Sequence, residues 1–419
     1  MAAPHSDSSV SESRIPADPS SRRWIILGLL FCITVINFID RQTLSVLAPR
    51  LKEIFGFSST EYGRIVAAFQ FGMMAGELPM GALMDRMGVR FGFTFAVLWW
   101  SLATALHSVG SNIWHFGLFR FWMGTGECGN FSGGMKVVSQ WFGRNDRAFA
   151  VGIFNSGAMV GSMIAPPLIV WLQFRYGWQW AFVIPAAIGC LWVVLWRIVY
   201  REPAVRQDDN VTGTPVSARE LLRHKQTWAV MLCRMIAGPV VQFYWYWTPD
   251  YLYSSRGLSL AAIGAFAWIP FLMGDIGSVT GGWTAGRLLR RGYSVAATRR
   301  ATLMFGSLCC LGSLAVVGVP NAAAAIAVIG VVLFGHTFLS ANYFAVITDL
   351  FPERAVGRVT GLTGLAGGFG GLVFPLVTGI LIDKVSWAPV FVLAALMPLI
   401  GVLLLLALAP GLKPAKLDS

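Results

Sequence analysis

Asp40, Arg41, Glu77, Arg120, Glu127, Arg234 and Asp275 all stand inside long apolar stretches of the chain. A charge at mid-bilayer costs about 3 kcal/mol on insertion scales, so an ionisable group kept there is a functional candidate. Thr34, Asn37, Arg41 and Ser45 follow one another at steps of three, four and four, which puts them on one helical face. Arg41 has the chemistry of a substrate-carboxylate anchor, because a permanently charged, forked guanidinium accepts a carboxylate in bidentate geometry. Asn37 stands one turn away on the same face. Asp40 is about 100° around the helix from Arg41, flanking a cavity or facing a neighbour. Arg120 and Glu127 are seven apart, two turns along one face, with Asn130 near that stripe. Burial disfavours an ionised glutamate and a nearby arginine favours it. A glutamate whose arginine is drawn away by substrate therefore has the minimum machinery for proton coupling. On this reading Glu127 carries the proton, Arg120 is its switchable counter-charge and Asp40 is a second titrating group. A permanent packing salt bridge fits the same spacing, as does a structural ion pair for Arg41.

The elements that hold these groups follow from composition. The chain has 419 residues, 56% hydrophobic and only 12% charged, against about a quarter charged in soluble domains. A bilayer core needs about 20 apolar residues per helix. Such stretches recur near 24–48, 60–82, 90–109, 113–138, 148–172, 178–199, 226–254, 262–288, 299–318, 322–349, 356–383 and 388–410. The expected fold is an all-α polytopic membrane protein of about twelve transmembrane helices.

Net charge is +12, but the basic residues favour one side: Arg22, Arg23, Arg86, Arg90, Arg144, Arg147, the 197–225 stretch, Arg287 to Arg300, Arg354 and Arg358. The positive-inside rule makes both termini and the 200–225 loop cytoplasmic. The basicity thus reports topology and no nucleic-acid partner. Residues 1–21 read as a disordered tail without a cleavable signal. All six cysteines lie in expected spans, where packing is their role. The organisation expected is a 22–199 bundle, a 200–225 linker with a short helix near Ala218–Lys225, a 226–410 bundle and a 411–419 tail, in a bacterial inner membrane.

The two bundles repeat. At one constant spacing Gly152 pairs with Gly361, Gly161 with Gly370, Pro166 with Pro375 and Trp178 with Trp387; at another, Gly56 pairs with Gly257, Ser58 with Ser259 and Gly63 with Gly264. Two parallel six-helix halves around a midplane site result. The first spacing puts His336 opposite Glu127, and the second puts Gln242 opposite Arg41. Gln242, Tyr246 and Asn342 are candidates for hydrogen-bonding substrate hydroxyls, Asn155 is a further binding candidate, and the run Phe243–Trp247 is one for stacking on a sugar ring or anchoring at the interface. Glu77, Asp275, Arg234 and His336 receive no role.

Residues 81–90, GALMDRMGVR, resemble the loop signature of the major facilitator superfamily through Gly81, Leu83, Asp85, Arg86, Gly88 and Arg90. The resemblance implies a gate, with Asp85 meeting the N-terminus of a helix starting near Val356 and arginines engaging carboxylates. The second half has only an echo in Gly282–Arg287, without an aspartate. NFIDRQ (37–42), RFWMGTGECGNFSGGMK (120–136), GIFNSGAMVGSMIAPPLIVW (152–171) and WTPDYL (247–252) are similar to the anion:cation symporter branch, especially bacterial hexuronate and sugar-acid porters. That similarity implies proton-coupled uptake of a small organic anion by alternating access, with protons as the coupling ion, no other cofactor and no metal, in a monomer within the lipid bilayer. An exporter shares the fold, although Pro167-Leu168 departs from the helix-five antiporter pattern. A non-transporting sensor would keep the binding residues. Enzyme signatures such as H-E-x-x-H and G-x-S-x-G are absent from the sequence.

Overall fold

A computed structural model describes residues 20–202 and 216–415. The expected tail up to residue 19, the middle of the 200–225 linker, and residues 416–419 lie outside the described residues. Helices account for nearly all of the rest: α1 Ser20–Phe55, α2 Ser59–Leu106, α3 Ile113–Trp141, α4 Arg144–Tyr176, α5 Trp180–Val199, α6 Ala218–Leu221, α7 Lys225–Ala237, α8 Pro239–Ser254, α9 Leu260–Phe266, α10 Ile269–Arg290, α11 Val295–Cys310, α12 Ala322–Leu350, α13 Glu353–Lys384 and α14 Trp387–Leu408. Expected spans two and three form the single run α2, broken at Gly88, whose φ of 79° and ψ of 160° leave the helical region. Span seven is split into α7 and α8 at Gly238-Pro239, and span eight into α9 and α10. The fold is therefore two six-helix halves, with α6 as a short connector.

The repeat becomes physical at the caps. Gly56 (φ 69°) and Gly257 (φ 66°) both turn the chain through the left-handed region open to glycine. Two residues on, Ser58 accepts from the Glu61 amide and Ser259 from the Ala262 amide, starting equivalent helices. Asn112 and Asn321 cap α3 and α12 in the same manner. Within the first half α2 packs on α3 and α1 on α4; within the second, α10 packs on α12 and α7 on α14. Large apolar side chains such as Leu78, Trp114, Leu191 and Ile198 stay exposed on the outside, as expected of helices whose outer solvent is lipid.

The halves meet at the end opposite the chain termini. There Lys52 Nζ donates to Asp250 at 2.6 Å and the Tyr253 hydroxyl donates to Glu53. The Ser59 and Thr60 amides donate to Asp383 at 2.9 and 2.6 Å, so a carboxylate of α13 sits on the positive N-terminus of α2. A Cβ on Gly63 would strike the Pro375 carbonyl, and one on Gly264 would strike Val170, so glycine is what allows these backbones to approach. Toward the terminal end, a Cβ on Gly152, Gly357, Gly361 or Gly364 would meet nothing within 4 Å.

Candidate functional site

Arg41 points from α1 into the first half and meets Glu127 of α3. Its Nε and Nη2 lie 3.0 and 2.9 Å from the same glutamate oxygen, Oε2, and Nη2 reaches Asn37 Oδ1 at 3.5 Å. Glu127 is fully buried and Arg41 nearly so. This corrects the pairing expected from sequence, because the partner hydrogen-bonded to Glu127 is Arg41. Seven residues of helix rise about 10 Å, too far for Arg120 and Glu127 to meet readily along one helix, whereas α1 crosses between them. Arg120 instead donates from Nη1 and Nη2 to the Arg41 backbone carbonyl, each at 3.3 Å. Phe69 lies between both guanidinium groups, 5.2 Å from Arg41 and 5.6 Å from Arg120, and Phe38 lies 4.7 Å from Arg41. Two aromatic faces thereby stabilise cations that share a single hydrogen-bonded carboxylate among the described residues.

Asp40 makes no hydrogen bond or ion pair with Arg41 or Glu127 among the described residues. It is fully buried, and both of its carboxylate oxygens lack a hydrogen-bond partner among the described residues. Asn130 donates to Thr34 at 3.2 Å, tying α3 to the polar face of α1.

The other chosen residues divide into three places. Tyr246 is buried with its ring 6.4 Å from Phe69, and its carbonyl accepts from Tyr62 at 2.8 Å and Ser45 at 3.1 Å. It therefore lies beside the Arg41 cluster and helps join the halves. Gln242 donates to Gln70 at 3.3 Å across the halves. Asn155 lines a separate cavity of about 260 Å³ with Phe38, Trp245, Asp275 and Ser278, near the lower end of ligand-pocket volumes. Of the aromatic run 243–247, Trp245 alone lines this cavity; Phe243 packs on Phe374 and Phe391, and Trp247 on Tyr62 and Trp387. His336 donates from Nε2 to the Ala237 carbonyl at 2.8 Å, at the break between α7 and α8. Arg234 stacks on Phe344 at 5.3 Å.

Sequence reasoning passed over Phe38 and Phe69. Phe38 shares the face of Thr34, Arg41 and Ser45, so its spacing was a usable signal. Phe69 gave none, because its role depends on how α2 docks on α1.

The loop motif departs from the expected contacts. Asp85 pairs with Lys136 of its own half at 2.6 Å, and the approach to the α13 N-terminus is not its contact here. The Arg90 guanidinium donates to the Arg197 carbonyl, its backbone amide donates to the Glu202 carboxylate at 3.5 Å, and Arg86 is exposed. Gly88 lets the chain turn against Glu202, whose carboxylate would clash with any Cβ there. Gly81 has open space around it. Through Lys136, Asp85 ties α2 to α3 within the first half.

Two pseudo-repeated six-helix halves, clasped at one end around buried charges, define a membrane transporter fold. The chain belongs to the major facilitator superfamily, whose family model matches residues 30–371 and 299–418. It is 30% identical over 413 residues to the hexuronate transporter of Escherichia coli (strain K12), covering 94% of this chain and 95% of that protein. It is 28% identical to the D-galactonate transporter of Escherichia coli O6:H1, covering 95% and 98%. Among solved structures, a bacterial homolog of the human lysosomal transporter Spinster superposes with a TM-score of 0.75 at 18% identity, covering 94% of this chain and 97% of that one. The relatives are transporters, and no enzyme reading survives them.

Proposed function

We propose that this protein carries a hexuronate or related sugar acid into the cell together with protons, by alternating access, as a monomer in the inner membrane. The observation that carries the reading is that both inward donors of Arg41 rest on a single oxygen of the buried Glu127. A substrate carboxylate and an ionised Glu127 compete for one guanidinium. When Glu127 takes a proton its hold on Arg41 weakens, and the substrate carboxylate can take the fork. Charge stays balanced around Arg41 at each stage. Asp40, buried without a hydrogen-bond partner among the described residues, is the second group proposed to exchange a proton, and Arg120 holds α1 in place through the Arg41 carbonyl. The hexuronate and galactonate relatives support a sugar acid as the cargo. If the basic loops face the cytoplasm, the clasped end faces outward and the terminal end faces inward.

The test is uptake of labelled glucuronate into proteoliposomes. Concentrative uptake under an imposed inward proton gradient, collapsed by a protonophore, is expected. Binding without any transport under either gradient direction would replace the transporter by a sensor.

The gate yields a further expectation. Asp85→Asn removes the Lys136 pair, and a largely exposed pair contributes at most about 1 kcal/mol to stability. Melting temperature and glucuronate affinity should therefore hardly move, while the transport rate drops by about tenfold, equivalent to about 1.4 kcal/mol in the barrier between conformations. Unchanged turnover at matched protein density would remove Asp85 from gating.

A further inference from the structure

Asp275 is a half-buried acid in the wall of the cavity between the halves, and nothing above uses it. It projects from α10, with Ser278 one turn along the same face and Asn155 of α4 across the cavity. Among the described residues Asp275 has neither an ion-pair partner nor a hydrogen bond. Thr337 on the same wall is different, since its hydroxyl donates to the Gly274 carbonyl. Arg234 stacks on Phe344 and makes no ion pair with Asp275. An acid that packing alone had placed here would be expected to have acquired a partner, because an unpaired charge in a membrane is expensive.

Phe38 connects this wall to the anion site. Its ring lines the cavity and lies 4.7 Å from the Arg41 guanidinium, and it meets Trp245 edge-on at 5.8 Å. Asp275 thus lines the cavity directly, while the Arg41 guanidinium lies behind the Phe38 ring that lines it and carries an uncompensated charge once Glu127 is protonated. A ligand that offers one carboxylate and several hydroxyls matches that arrangement. Its carboxylate goes to Arg41, its ring or chain lies along Phe38 and Trp245, and its far hydroxyls donate to Asp275, with Asn155 and Ser278 beside them.

We propose that Asp275 is the specificity-determining residue of the second half, accepting hydrogen bonds from the hydroxyls of a monocarboxylate sugar acid and turning away a second carboxylate. The proposal rests on the sugar-acid reading above and adds to it a discrimination between monoacids and diacids. A diacid of the same length puts its second carboxylate against Asp275, where like charges repel with little water to screen them. An alcohol at that position instead gains a charge-assisted hydrogen bond.

The full chain and its Asp275→Asn and Asp275→Ala variants are purified and titrated calorimetrically with glucuronate and with glucarate at one pH, with melting curves to confirm folding. The wild type is expected to bind glucuronate at least tenfold more tightly than glucarate, on the order set by one charge-assisted contact. Asp275→Asn keeps the hydrogen bond and loses the charge, so glucuronate affinity holds within about threefold while the gap to glucarate closes by about tenfold. Asp275→Ala loses about tenfold in glucuronate affinity. Equal binding of both acids by the wild type, or a gap unchanged in Asp275→Asn, overturns the assignment while leaving the sugar-acid reading intact. Failure of the wild type to bind either acid overturns that reading and this one with it.

Discussion

Arg41→Ala is expected to abolish specific binding of glucuronate, lowering affinity by at least about 100-fold, since two charge-assisted hydrogen bonds are lost at once. Arg41→Lys should recover little of it, because an ammonium lacks the planar fork that lets one side chain hold both oxygens of a carboxylate. The single alanine variant also leaves Glu127 buried without its partner, at a cost of about 3–5 kcal/mol, so a loss of binding could reflect damaged folding. The double variant Arg41→Ala/Glu127→Gln removes both charges of the pair that the structure shows at 2.9 Å. It should melt near the wild type and still fail to bind. Wild-type affinity for glucuronate in that double variant would remove Arg41 from substrate recognition. Neutral sugars should not compete with glucuronate in the wild type, because nothing in them replaces Glu127 as the counter-charge of Arg41.

Glu127→Gln is expected to lose proton-driven accumulation while keeping substrate binding and substrate exchange. Glutamine has the size and hydrogen-bonding capacity of the protonated acid but no proton to release. In the wild type, the Glu127 carboxylate occupies the Arg41 donors; with glutamine the guanidinium faces only a neutral amide and is more available to an incoming anion. Affinity at high pH should therefore equal or exceed that of the wild type, and its dependence on pH should flatten. If the pair serves packing alone, the same change leaves Arg41 without a counter-charge in the buried site, and stability should drop by about 3–5 kcal/mol. Melting curves and uptake from one preparation separate the two. Normal concentrative uptake by a well-folded Glu127→Gln protein would exclude Glu127 as the carrier and leave Asp40, buried with neither oxygen hydrogen-bonded among the described residues.

Much of the scaffold was legible before any coordinates. Hydropathy marks the crossings because the bilayer imposes one length on all of them. The repeat was visible in small residues, and the structure gives its meaning: Gly56 and Gly257 turn the chain, and Ser58 and Ser259 restart it. The two crossings within α2 were legible as well, since they part at Gly88, whose φ and ψ leave the helical region between the two expected spans. The break at Gly238-Pro239 interrupts a stretch expected as one span, although proline, which lacks the amide that would continue the ladder, was a usable signal for it.

The sequence by itself determined which groups are charged where charge is expensive, and that Arg41 shares a face with Asn37. Those are properties of one helix, fixed by its period. Which charge meets which was decided only by the tertiary structure. Arg120 and Glu127 share a stripe yet sit too far apart along the axis, and the crossing of α1 over α3 gave Glu127 to Arg41 and left Arg120 the Arg41 carbonyl. Likewise it is Asp383 of α13 that caps the N-terminus of α2 across the halves, while Asp85 pairs with Lys136. An ion pair forms within about 4 Å, and the spacing of residues along one helix does not carry the distance to the next.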